Sequence, residues 1–252
     1  MVSAWVTDKG VTLGQLKIND KSNEITAIPA LLDLISVKNS TVTIDAMGCQ
    51  REIAAKIIDS EGDYVLCLKS NQKSIYRDVQ TYVESHIIGQ KSQNYSSFCD
   101  AFDETHGRLV RRRVWSINDI DFLSNKESWS GLKSIIVTES IRGIKGAEGQ
   151  IIGEVTTQWR YFLCSLNLTA QQAADFVRVH WTVENCLHWT LDVAFREYEC
   201  RMRAGHSAEN FSILRRIALN LLKQEKTSKR GVKGKRHKAG WDNDYLYKVL
   251  MP

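Results

Sequence analysis

The run STVTIDAMGCQREIAAKIIDSEGDYVLCLK, residues 40–69, decides how the rest of the chain is read. Ser40 to Asp45 is short, β-branched and ends on a carboxylate, the make-up of a strand. Cys49 to Ser60 sets Ile53, Ala54, Ile57 and Ile58 on one face of a helix. Asp63 to Lys69 reads as a second, buried strand, and Ser74 to His86 as a second helix. Strand, helix, strand, helix with short links is the pattern of a parallel α/β layer. In such layers functional groups gather beyond the C-terminal ends of the strands, where Asp45 and Lys69 stand.

Upstream, Val2 to Val6 and Val11 to Ile18 read as two strands joined through Asp8-Lys9-Gly10, a hairpin turn. Residues 24–35 carry a helical apolar stripe, and Pro29 predicts that the helix proper starts near Ala27 or Ile28. Downstream, the segments 108–115, 134–138, 150–156 and 160–165 read as strands of an antiparallel block. Asn167 to Thr169 supplies an N-cap signal for one long helix from Ala170 to Phe195. Ser207 to Lys223 is a further amphipathic helix. Between Lys223 and Lys238 stand eight Lys/Arg against one acid, interrupted by Gly231 and Gly234. The expected organisation is therefore an α/β core over 1–94, a β-rich insertion over 95–168, core-completing helices over 169–223 and a basic tail over 224–252.

With 252 residues, 43% hydrophobic and 25% charged, the chain falls in the ordinary globular class. No apolar stretch reaches membrane-spanning length and no signal-peptide layout opens the chain, so a cytoplasmic location without membrane contact is expected. The six cysteines form no CxxC pair. Cys49, Cys67, Cys164 and Cys186 lie in apolar runs, which predicts reduced, packed thiols. A net charge of +5 is compatible with a nucleic-acid partner.

On the 170–195 helix, His180, Glu184, His188 and Asp192 recur every four residues, flanked by Trp181, Val183, Leu187, Leu191 and Phe195. That spacing stacks the polar groups along one slowly drifting stripe. A carboxylate held among tryptophans requires a partner. Asp45 and Glu184 converging from a strand end and a helix would suit Mg²⁺, and paired ions suit phosphodiester chemistry. The bland reading is that Asp45 caps its loop and Glu184 pairs with an arginine. A zinc site of His180, Glu184 and His188, completed by Asp45 or Asp192, is a further alternative. Lys69, Asn71 and Gln72 follow a strand and present donors for a DNA backbone; a solvated loop is the alternative. Arg201 and Arg203 follow the Glu184 helix and extend toward the same DNA strand. Arg111, Arg112 and Arg113 alternate sides of a strand and form no single patch. The stretch from Lys229 to Lys238 is a stronger electrostatic patch for DNA; the alternative is a disordered basic tail, which would itself bind DNA non-specifically in a salt-sensitive way.

Several runs resemble the H-repeat-associated proteins, DDE-type transposases of bacterial insertion sequences. They are Val2-Ser-Ala-Trp5, Lys21 to Ile25, Thr43 to Gln50, Asp63-Tyr-Val65, Lys69 to Gln72, His106-Gly-Arg108, His180 to Asn185 and Ala218 to Leu222. The resemblance extends from Val2 to about Leu250. It implies an RNase H-like core with a β-rich insertion before the last catalytic helix. It places the family's second Asp on Asp45 and its Glu on Glu184, both catalytic and metal-holding, with Mg²⁺ as cofactor and DNA as partner. His180 would orient a phosphate or the Glu.

The family's first Asp lies on a strand upstream of Val2-Ser-Ala-Trp5, and this chain starts at Met1. That Asp, its strand and the family's N-terminal helical region are therefore expected to be missing. Where relatives carry Tyr, Arg and Lys around the Glu, Val177, His180 and Leu191 stand here, and Glu197-Tyr198 replaces Glu-Asp. The expectation is a DDE transposase remnant, impaired in DNA hydrolysis and strand transfer, with reduced stability unless another segment fills the gap. The alternatives are a non-catalytic DNA-binding protein, a homodimer or a partner of a full-length transposase, and a decayed element without a present role.

Overall fold

A computed structural model of the chain describes residues 1–18, 24–89, 94–105, 108–146 and 151–251. Residues 21–23 and 106–107 of two quoted motifs, and Gln150 at the start of an expected strand, lie outside them. The chain divides into two units, Ser36–Arg178 and Met1–Ile35 with Val179–Pro252.

In the unit Ser36–Arg178, β3 (Thr41–Ile44) and β4 (Asp63–Leu68) pair in parallel, from Thr41 opposite Asp63 to Ile44 opposite Leu66. Between them α2 (Arg51–Asp59) buries Ile53, Ala54 and Ile57. On its other side β4 pairs antiparallel with β8 (Ile151–Cys164), which continues through β7 (Ser134–Lys145) and β6 (Arg108–Ile117) to β5 (Ser97–Thr105). The parallel pair and the antiparallel block thus share one six-stranded sheet, and the chain is α/β with a mixed sheet. Gly131 holds φ +69, and a Cβ there would meet Ile58 Cδ1 at 2.6 Å, so only glycine fits the turn before β7.

Two expectations change here. β5 reads poorly as a strand, since three acids interrupt it, yet its pairing with β6 sets Asp100 beside Arg111 and Asp103 beside Arg112. Cross-strand ion pairs of this kind hold an edge that propensity alone would not. β7 and β8 run 12 and 14 residues, past the polar positions where shorter strands were expected. Ser140 lies opposite Gln158, and Glu139 pairs with Arg113 of the neighbouring strand, so the ladder need not break at those polar positions.

Helix α4 (Ala170–His180) lies over one face of this sheet, packing Ala170 and Ala173 with Cys67, Val114, Ile136 and Phe162. Its start is a capping box: the Thr169 N–H donates to Gln172 Oε1 at 2.9 Å and the Gln172 N–H donates to Thr169 Oγ1 at 3.3 Å. Cys49, Cys67 and Cys164 are buried as expected, whereas Cys186 is exposed because its neighbour Leu187 takes the inward position.

In the other unit, β1 (Val2–Val6) and β2 (Val11–Leu16) form a two-stranded antiparallel sheet closed at Gly10, φ +65. Helix α1 (Glu24–Leu34) packs on it, with Leu31 and Ile35 against Gly14. Contrary to the expected start near Ala27, Pro29 lies inside this helix. It leaves the Ile25 carbonyl without its usual helical N–H. Helix α6 (Ser207–Gln224) is tied to β2 by one side chain. The Thr12 N–H donates to Asn220 Oδ1 and Asn220 Nδ2 donates to the Thr12 carbonyl, both at 2.9 Å. Among the described residues no strand covers the outer edge of β3. No described helix is long and apolar enough to cross a membrane.

The basic tail is folded: it forms α7 (Val232–Trp241) and α8 (Asn243–Leu250). Its anchor is Glu225, 3% exposed, which accepts from the Tyr245 hydroxyl at 2.6 Å and from the Thr227 N–H at 2.5 Å. Buried Lys235 approaches the same carboxylate at 3.5 Å and donates to the Leu222 carbonyl at 3.1 Å. Burial would raise the Glu225 carboxyl, but hydrogen bonds from Thr227 and Tyr245 outweigh it and hold the group at about 2 against an ordinary 4.5. A depressed carboxyl stabilises the fold above its unfolded pKa, and that contribution fades as pH falls toward the folded value. Glu225→Gln is therefore expected to lower stability at pH 7 by on the order of 3 kcal/mol, leaving Lys235 buried without its anion. In urea unfolding the gap to the parent should narrow as pH falls from about 4.5 toward 2. A gap that stays constant through that window contradicts the assignment.

Candidate functional site

The parallel register of β3 and β4 brings their C-terminal loops side by side. Asp45 leaves β3 and opens a 3₁₀ turn, Ala46–Gly48, with its carboxylate exposed. It does not cap that turn, so the capping reading is not what the structure shows. The loop after β4 is stitched to it by amides. Asn71 Nδ2 donates to the Ala46 carbonyl at 2.7 Å, and Gln72 Nε2 donates to the Cys49 carbonyl at 2.9 Å and to Gln50 Oε1 at 3.0 Å. Gln50 Nε2 in turn donates to the Met47 carbonyl at 3.1 Å. Asn71 and Gln72, expected as DNA contacts, thus place their side chains on the loop that carries Asp45. Lys69 is exposed beside them. The buried Cys67 thiol is raised by burial, with the charges of Lys69 and Arg160 opposing that shift and the charge of Asp45 adding to it.

Glu184 belongs to the other unit. The expected single helix is not uniform: α4 gives way at Trp181, and a π turn, Glu184–His188, precedes α5 (Trp189–Phe195). Such wide turns inside helices recur at functional sites. Leu187 and Leu191 face inward onto Leu219 of α6, with Trp5 and Val183 beside them. Glu184, His188 and Asp192 are exposed and His180 is half-buried, its ring edge-on to Trp181 at 5.2 Å. The polar stripe exists, but Glu184 is on the surface rather than trapped among tryptophans. Among the described residues neither Asp45 nor Glu184 has a hydrogen-bonded or ion-paired side-chain partner. Also among the described residues, no group of three His, Cys, Asp or Glu side chains comes together to hold a metal, so the zinc alternative is not assembled.

Lys223, from the apolar-looking end of α6, supports the π turn. Its ammonium donates to the Cys186 carbonyl at 2.9 Å and lies over the Trp5 ring at 4.2 Å. The wide turn frees a carbonyl and a cation takes it. Sequence reading missed this residue, since its partners lie 37 and 218 positions away. Arg201 and Arg203 are exposed in the segment after α5, with Arg203 Nη1 donating to the Met202 carbonyl at 2.9 Å. That segment is fixed by Glu197, which accepts from Arg216 Nη1 at 2.8 Å and from the Ser212 hydroxyl at 2.9 Å. Arg216 also reaches Ser3 on β1 at 3.2 Å.

Comparison with known proteins bears on these residues together. The family model for the transposase DDE domain matches residues 1–221. A protein of Escherichia coli named "Putative transposase YncI" is 40% identical over 255 residues, covering 99% of this chain and 63% of its own length. The "H repeat-associated putative transposase YhhI" of Escherichia coli is 39% identical over 254 residues, covering 99% of this chain and 65% of its own. A protein of Xanthobacter autotrophicus, "Uncharacterized protein in dhlA 3'region", is 36% identical over 165 residues, 66% of this chain and 52% of its own length. The chain thus spans 63–65% of the length of the two Escherichia coli relatives.

The amide brace makes a measurable claim. In Gln72→Ala the Cys49 and Gln50 amides, which donate to the Ala46 and Gly48 carbonyls, should exchange with solvent roughly fivefold to tenfold faster. That corresponds to the loss of about 1 kcal/mol of local hydrogen bonding. Hydrogen exchange followed by NMR checks it, and unchanged protection at both amides refutes the brace.

Proposed function

The chain belongs to the family of transposases with a DDE domain, and from that premise we propose that Asp45 and Glu184 are its metal-holding catalytic carboxylates. The observation that carries this reading is their common state. Both are exposed and without a hydrogen-bonded or ion-paired side-chain partner among the described residues, each on a supported turn. We read the order hairpin, helix, strand, helix, strand and final Glu184 helix as an RNase H-like core. In that reading residues 1–94 and 169–223 supply the core, 95–168 the inserted strands and 224–252 the basic tail.

The family generally uses a divalent metal. The donors fit Mg²⁺, which takes one or two carboxylates, keeps several waters and shares phosphate oxygens of its substrate. When bound, the ion would polarise a phosphodiester for attack. Asp45 and Glu184 would hold it, Lys69, His180, Arg201 and Arg203 would contact DNA phosphates, and Asn71 and Gln72 would hold the Asp45 loop in place. The reaction would be hydrolysis of a DNA phosphodiester followed by strand transfer.

The exposed Lys226, Lys229, Arg230 and Lys233 favour a second reading, DNA binding without catalysis, alone or beside a full-length relative or second copy. Salt-sensitive binding that survives Asp45→Asn and Glu184→Gln supports it. We propose that these 252 residues on their own nick DNA with Mg²⁺ weakly or not at all. Strong nicking abolished by Glu184→Gln overturns that expectation of impairment.

Metal placement is tested without turnover. Fe²⁺ substituted for Mg²⁺, with ascorbate and peroxide, should cut the polypeptide near residues 45 and 184. Cuts at both should fade in Asp45→Asn and in Glu184→Gln. Cuts elsewhere, or cuts indifferent to both substitutions, sink the assignment.

A further inference from the structure

Strands β6, β7 and β8 turn Val114, Ile136 and Phe162 toward the α4 side of the sheet. Side chains an even number of positions away along a strand share that face. Arg112, Arg142 and Arg160 are two, six and two positions from those three, and therefore lie on the same face of three adjacent strands. The register sets them in successive rows. Arg160 is opposite Thr138, Arg112 is opposite Ser140, and Arg142 is opposite Val110. Helix α4 adds Arg178, whose Nη2 approaches Asp103 Oδ2 at 3.7 Å, and Arg112 pairs with the same carboxylate. Asp103 thus serves two arginines. Arg142 and Arg178 are exposed. Burial, and after it the neighbouring charges of Arg178, Arg142 and Arg160, push the Arg112 guanidinium down from its ordinary value.

Like charges gathered on a partly desolvated face repel one another in the free protein. An anion relieves the repulsion, and its shape can be inferred from theirs. The arginines spread across three strands, about 4.8 Å apart from one strand to the next. A single phosphate would engage one or two of them, whereas a chain of phosphates engages all. Guanidinium forks match phosphate oxygens in pairs. The same face continues to β4, where Cys67 is opposite Phe162. Two positions beyond Cys67 comes Lys69, the residue beside the Asp45 loop.

We propose that Arg112, Arg142, Arg160 and Arg178 form a surface that seats the backbone of duplex DNA along the α4 side of strands β6, β7 and β8, leading it toward Lys69 and Asp45. The polyanion chemistry stands on the arginines; the choice of DNA rests on the transposase reading.

The test uses the whole 252-residue chain and a short labelled duplex, with affinity measured by anisotropy across a salt series. Each phosphate contact contributes about 0.9 to the slope of log K against log salt. Arg142→Gln with Arg178→Gln should flatten the slope by roughly two. Affinity at low salt should fall at least roughly tenfold with the melting temperature unchanged. A slope unmoved by the double arginine variant overturns the surface, as does a slope carried wholly by Lys229→Gln, Arg230→Gln and Lys233→Gln in the tail. Anionic vesicles of phosphatidylserine that bind in an arginine-dependent way, while the duplex does not, also overturn it in favour of a membrane. If the arginine slope changes as expected while the Fe²⁺ cuts ignore Asp45 and Glu184, the surface stands and the metal assignment falls.

Discussion

The parallel pairing of β3 with β4 is the constraint on which the candidate chemistry depends. Antiparallel strands would end at opposite edges, whereas these two end together, so the loop bearing Asp45 and the loop bearing Lys69, Asn71 and Gln72 emerge side by side. Once adjacent, two loops that would otherwise be solvated can satisfy each other's backbone. The carbonyls of Ala46 and Cys49 find side-chain amides instead of water. An exposed carboxylate therefore sits on a short, supported turn, which is the condition a metal ligand needs if its position is not to be averaged away. The addition of β8 on the far side of β4 locks that strand between two neighbours.

Much of this was legible in the residues because it rests on local patterns. The β-branched run to Asp45, the apolar face of α2 and the capping signal at Thr169 each report their own element within a turn or a strand length. What escaped was set by distant partners. β5 is a strand because β6 offers arginines to its acids, and nothing inside 97–105 announces that. The π turn at Glu184 depends on a lysine from α6 and on Leu187 and Leu191 both reaching inward. Asn71 and Gln72 stand out as a motif in the sequence, but polar amides in a loop look the same whether they face a phosphate or a neighbouring carbonyl.

The basic residues show the same division. Strand alternation was enough to separate Arg112 from Arg111 and Arg113, and the ion pairs of the latter two with Asp100 and Glu139 agree with that separation. It could not say what Arg112 would meet on its own side, because Arg142, Arg160 and Arg178 arrive from other elements. The tail carried the opposite lesson. Its charge density reads as an electrostatic patch or a disordered arm; the structure folds it, with Lys235 buried against Glu225 and Lys238 4.3 Å over the Tyr245 ring, while Lys229, Arg230 and Lys233 stay exposed. Charge counted along a chain is a poor guide to charge available at its surface.

The Asn220 side chain has an effect that reaches past its two hydrogen bonds. By occupying both backbone valences of Thr12, it imitates a third strand for one residue and closes the outer side of β2 at that point. A small sheet is a template for growth wherever such valences stay open. Here growth is given a direction: an incoming strand, from whatever chain supplies it, is turned away from β2 at Thr12 and toward the outer side of β1. One amide on a helix thereby makes a symmetric-looking hairpin one-sided.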